Sequence, residues 1–163
     1  MYPSQGPCLI GPIVGMDVSG SLVNFYRLAL LDGSGGALFV PVDKIQSIGL
    51  RPLLEKSEIP KLLDQLMNSG LTVKDWKLRM QNNMRLLISS SPFDLAAVVE
   101  SLTHLNESKS LSYRENRILE KAKKLLVGEV SEVLGDTRIA AEEQINRALG
   151  VRRSLDSDGL RGE

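Results

Sequence analysis

The hydrophobic period of this chain changes once, near residue 55, and that change constrains the fold more than any single motif. Before it, short apolar segments at Cys8 to Val14, Leu22 to Leu31 and Ala37 to Val42 are separated by turn-forming clusters. Those clusters are Asp17 to Ser21 and Asp32 to Gly36, with Gly33 to Gly36 reading as a hairpin turn. After the change, from Ser57 on, apolar residues recur at spacings of three and four. A run of strands followed by a run of helices predicts an α+β protein. Three strands alone are a poor domain, so the sheet is expected to close toward a small barrel or to pack against helices. Pro41 lies within the third strand pattern and donates no ladder hydrogen bond, which puts that strand at an edge or makes the proline its end. Such an edge is either a docking surface for another chain's strand or merely an edge protected by its proline.

In the helical part, Ser57 is the expected N-cap of a first helix, with Pro60 tolerated in its first turn. Ile59, Leu62, Leu63, Leu66 and Met67 make its apolar stripe, and Asn68-Ser69-Gly70 ends it. A second helix starts near Trp76. After a break at Ser89-Ser90-Ser91-Pro92, a third runs from Phe93 to Leu105 with Leu95, Val98, Val99 and Leu102 inward. His104, near its end, suits the helix dipole better than catalysis. Ser112-Tyr113-Arg114-Glu115 is a capping box that opens a long fourth helix, whose core residues are Ile118, Leu119, Ala122, Leu125, Leu126, Val130 and Val133. Arg114, Arg117, Lys121 and Lys124 form a basic stripe on it, which is either a solvated face or a track for phosphates. Gly135-Asp136 recaps the chain, a last helix is expected to stop at Leu149 and Gly150, and residues 151 to 163 read as a disordered tail.

The stretch Leu71 to Ile88 contains the single tryptophan. On a helical wheel Trp76, Met80, Met84, Leu87 and Ile88 share one face, with Arg79 and Asn83 on one side of Trp76 and Lys77 on the other. Spacing alone favours a core role for Trp76, as the first residue of an apolar face.

Charge narrows the function. The net charge is zero, yet residues 56 to 127 hold 12 basic and 8 acidic groups, while the flanking segments are slightly acidic. A protein that holds DNA unaided normally carries a larger cationic surplus, so any DNA contact here should be assisted. One cysteine and one histidine cannot complete a zinc site, and no cofactor or structural metal is expected. Cys8 and His104 are the only candidates for a nucleophile and base, and a nucleotide-binding glycine loop is absent, so an enzyme is not expected. No run of 18 apolar residues or signal-like N-terminus is visible, which makes no membrane contact and a cytoplasmic address the expectation.

Five motifs follow one another in a shared order: Tyr2-Pro3 with Gly6; Val40-Pro41-Val42 before Gly49-Leu50-Arg51; Trp76-x-x-Arg79; Asp94-Leu95-Ala96 before Val98-Val99 and Leu102; and Leu111-Ser112-x-x-Glu115-x-x-Ile118-Leu119-x-x-Ala122. Together they resemble the CarD/CdnL family of bacterial RNA polymerase-binding transcription regulators, whose N-terminal domain is similar to that of transcription-repair coupling factor. The resemblance implies a Tudor-like antiparallel β domain over residues 1–54 that binds the polymerase β subunit, and a helical domain over 55–150 that contacts promoter DNA. It implies that Trp76 is an exposed wedge in the minor groove at the upstream edge of the bubble, with Lys77, Arg79, Arg85, Arg114, Arg117 and Lys121 on DNA. Phe39, Val40, Pro41 and Val42 would then contact the polymerase. Family members usually carry a strand ahead of the Tyr-Pro and an arginine just before the Val-Pro, where this chain has Phe39. The β domain is therefore expected to lack its first strand, or the true start to lie upstream. A monomer that reaches the nucleoid through polymerase and binds DNA weakly, without sequence preference, is the expected state. The alternative is a protein adaptor without DNA contact in which Trp76 is core.

Overall fold

A two-residue turn at Ser19-Gly20, both with positive φ (54° and 84°), closes the first hairpin, because that backbone matches the right-handed twist of the strands it joins. Asp17 Oδ1 accepts a hydrogen bond from the Gly20 amide at 2.9 Å and fixes the turn. The computed structural model describes residues 1–68, 73–89 and 91–159, the last nine of these as backbone only. Strands β1 (Cys8–Val18), β2 (Ser21–Leu30) and β3 (Ala37–Pro41) form an antiparallel sheet in the order β1-β2-β3. The register of β1 on β2 shifts between Ile10 and Ile13. Gly11 sits in that irregularity, where a Cβ would lie 2.9 Å from the Arg27 carbonyl oxygen, so only glycine permits the approach. Leu28, on the central strand, is fully buried. Pro41 is the last residue of β3, an edge strand, as its missing donor requires.

The chain divides into two compact units, Met1–Leu53 and Leu54–Glu163. The first holds the sheet. The second holds α1 (Ile59–Met67), α2 (Trp76–Ser89), α3 (Pro92–Ser108), α4 (Tyr113–Leu134) and α5 (Arg138–Gly159). Three strands followed by five helices make the α+β class expected from the change of period. Leu95, Val98, Val99 and Leu102 of α3 and Ala122, Leu126 and Val130 of α4 are fully buried, so these two helices form the centre of the unit. Helix α2 packs against both. The capping box forms as expected: Ser112 Oγ accepts from the Glu115 amide at 3.2 Å, and Glu115 Oε2 accepts from the Ser112 amide at 3.0 Å.

Two helix ends differ from expectation. Ser57 is not an N-cap, because the chain enters α1 through a 3₁₀ turn, Lys56–Glu58, that begins one turn earlier and has its own capping box between Glu55 and Glu58. Gly150 does not stop α5, whose backbone continues to Gly159. A glycine ends a helix by adopting the left-handed region; Gly135, φ 63°, does so after α4, whereas Gly150 stays helical at a cost of about 1 kcal/mol. The expected stop at Ser69-Gly70, Leu71, Ser90 and the far end of the expected tail lie outside the described residues.

Candidate nucleic-acid interface

Helix α2 departs from its hydropathy along most of its length. Its buried residues are Arg79, Asn83 and Leu87, spaced by four, whereas Met84 and Ile88 are exposed. Trp76 is 45% exposed at the first residue of the helix, so the core role that spacing favoured does not hold. The cause lies 36 positions away in sequence. Arg79, 5% exposed, donates from Nε and Nη2 to Glu115 Oε1 at 3.0 and 2.7 Å, and from Nη1 to the carbonyls of Val73 and Lys74 at 3.0 and 3.3 Å. A buried guanidinium needs a partner to offset its lost hydration, and Arg79 finds it in Glu115, a buried carboxylate on the N-terminal turn of α4. Satisfying Arg79 orients α2 so that Trp76 and Met84 are exposed and Met80 is half-buried.

Arg79 was expected on DNA phosphates, and its placement corrects that: its fork is used up inside the protein. Its role is positional. It ties the segment that precedes Trp76 to the start of α4, and Asp75 Oδ1 accepts from the Leu78 amide at 2.8 Å to cap the same turn. An aspartate directly before a helical run is a readable capping signal, and the sequence reading passed over it. Glu115 thus serves two ends. Burial opposes its charge, but the hydrogen bonds from Ser112 and Arg79 outweigh that and hold its carboxyl below the ordinary value of 4.5.

The other cations expected on DNA are accessible. Lys77 and Arg85 on α2 and Arg114, Arg117 and Lys121 on α4 are exposed, and none takes part in an ion pair among the described residues. Arg114 and Arg117 line an open groove of about 320 Å³ together with Met80, Met84, Tyr113 and Ile118. Lys121 follows one turn along α4, while Lys77 and Arg85 are not part of the groove lining. The groove residues Met80, Met84 and Tyr113 were not identified from sequence.

In the β unit, Phe39 is 47% exposed, Pro41 and Val42 are half-buried, and Val40 is buried at 3%. Strand alternation sends neighbours to opposite faces, so Phe39 and Val40 cannot both be contact residues. Val40, expected to touch the polymerase, is instead a core residue of its strand. Burial also pushes the Cys8 thiol up, away from the thiolate that a nucleophile needs.

No helix among the described residues is long and apolar enough to cross a membrane. Residues 61–146, just over half of the chain and all of α2, α3 and α4, match the family model described as CarD, C-terminal domain.

Proposed function

The chain belongs to the CarD/CdnL family of transcription regulators, and from that premise we propose that RNA polymerase carries it to promoters, where it favours the open complex. The helical unit supplies the DNA contact. Trp76 stacks on bases at the upstream edge of the opened fork, from the minor groove, and hinders their re-annealing. Lys77, Arg85, Arg114, Arg117 and Lys121 hold phosphates and fix its approach without reading sequence. The observation that carries this reading is the half-exposed indole on a helix start fixed by Asp75 and by the buried Arg79–Glu115 pair. An apolar wedge whose backbone is already ordered loses little entropy when it binds.

The β unit supplies the polymerase contact. Phe39 offers an apolar anchor on the edge strand β3, with Pro41 and Val42 beside it, to a lobe of the polymerase β subunit. The near-zero net charge is then no obstacle, because tethering raises the local concentration of DNA.

Trp76 is the only tryptophan, so its fluorescence reports directly. Titrating the protein with a forked duplex should quench it more than a fully paired duplex does, with affinity in the non-specific range of ~10⁻⁴ to 10⁻⁶ M and falling as salt rises. If labelled DNA binds while the tryptophan signal stays the same for forked and paired duplexes, the indole is not the contact.

A further inference from the structure

An amphipathic helix normally buries its apolar stripe, since each buried large side chain is worth ~1.5 to 3 kcal/mol. Helix α2 instead buries an arginine and an asparagine together with only Leu87 of its stripe, and the Asn83 Nδ2 has no hydrogen-bond partner among the described residues. What this arrangement brings to the surface is Trp76 and Met84, with Met80 half-buried between them. Beside them α4 presents Tyr113, 78% exposed at its first position. The groove between the two helices therefore has an apolar lining, from Met80, Met84, Tyr113 and Ile118, and two guanidinium groups without an ion pair among the described residues, Arg114 and Arg117, three residues apart in its wall.

We propose that this groove is a second base-binding subsite, which takes an unpaired nucleobase of the strand that Trp76 separates while Arg114 and Arg117 hold the phosphates beside it. The inference rests on the reading of Trp76 as the wedge. A nucleobase has apolar faces suited to an aromatic ring and polarizable thioethers, and its flanking phosphates complement the two cations. Spacing agrees, because one helical turn from Trp76 to Met80 is ~5.4 Å, on the order of one to two stacked nucleotides at ~3.4 Å each. Lys121 and Lys124 continue the positive track along α4 for the outgoing backbone. An acidic amphipathic helix from a protein partner would satisfy the charge as well. It needs anchors spread over two turns or more, whereas about 320 Å³ lies at the lower end of single-ligand sites.

The experiment measures the lifetime of preformed open complexes with the full chain and polymerase, on promoters that carry one abasic site at each of the first unpaired positions next to the upstream fork. Tyr113→Ala and Met84→Ala alter exposed side chains that make none of the Ser112–Glu115 cap hydrogen bonds, and circular dichroism checks their fold. Each should shorten the lifetime on intact DNA several-fold, as loss of one stacked base does. At one abasic position the parent protein should lose that same factor, and the two variants should lose nothing more there. If the effects of variant and abasic site multiply at every position, the groove holds something other than a base and the proposal is overturned, while a shortening by Trp76→Ala in the same series leaves the wedge intact. If Trp76→Ala has no effect, the wedge and the subsite fall together.

Discussion

Replacing Arg79 by alanine removes three things at once: two hydrogen bonds to Glu115 and the donor that holds the Val73 and Lys74 carbonyls. The two carbonyls lie at or near the surface and can turn to water. Glu115 is buried and keeps only its bonds with Ser112. Removing one partner of a buried pair typically costs ~3 to 5 kcal/mol. The retained Ser112 bonds argue for the lower figure, about 3 kcal/mol, against a total of ~5 to 15 for a domain. For a unit of this size that is a fall in melting temperature of roughly 10 to 15 °C. Circular dichroism of the full chain measures it, and Glu115→Gln combined with Arg79→Met should recover part of the loss, since no charge is then left buried. Below the melting range, open-complex lifetimes with Arg79→Ala should drop by one factor at every salt concentration. Arg114→Ala and Arg117→Ala should instead lower the salt slope by ~0.9 for each phosphate released. A melting point within a few degrees of the parent, with a reduced salt slope, would refute the positional role and return Arg79 to the DNA surface.

The folded-state pKa of Glu115 is depressed, so its contribution is complete above the ordinary value of 4.5 and is lost as pH falls through the folded value below it. The melting-temperature gap between the parent and Glu115→Gln should therefore be constant near neutrality and narrow as pH falls below the ordinary value of 4.5; a gap that persists in strong acid would show that the charge is not what stabilises the contact. On the sheet, Phe39→Asp should abolish a pull-down with the polymerase β lobe and leave the fold intact. Val40→Asp should unfold the β unit, because a buried unpaired carboxylate costs several kcal/mol; soluble, folded Val40→Asp that has lost only the pull-down would put Val40 back at the interface.

The parts legible in the sequence are those governed by local rules. The stripes of α1, α3 and α4 face inward as their period dictates, and the Ser112–Glu115 box and Pro41 mark their element ends correctly. The part that was not legible is the orientation of α2. Hydropathy assigned Trp76, Met80, Met84, Leu87 and Ile88 to one inward face; Leu87 is buried as expected, but Arg79, paired with a residue 36 positions away, takes the inward position and Trp76, Met84 and Ile88 are exposed. A window of one helix cannot contain that pairing. The resemblance to a family did point outward for Trp76, but it also put Arg79 on DNA, because a motif gives residue identity without side-chain direction. On β3 the alternation separates Phe39 from Val40, yet which of the two faces solvent depends on the rest of the unit. Gly150 failed as a stop signal because the residues after it continue the helix.

The central claim is that an exposed Trp76 keeps an opened promoter from closing, and the decay of preformed open complexes after addition of a competitor tests it most directly. Stacking on a base is worth ~1 to 3 kcal/mol by alanine substitution, and ~1.4 kcal/mol is a tenfold change. Trp76→Ala should thus shorten the lifetime roughly five- to a hundredfold, with the melting curve and polymerase affinity of the protein nearly unchanged. A folded Trp76→Ala protein that stabilises open complexes as well as the parent would contradict the account.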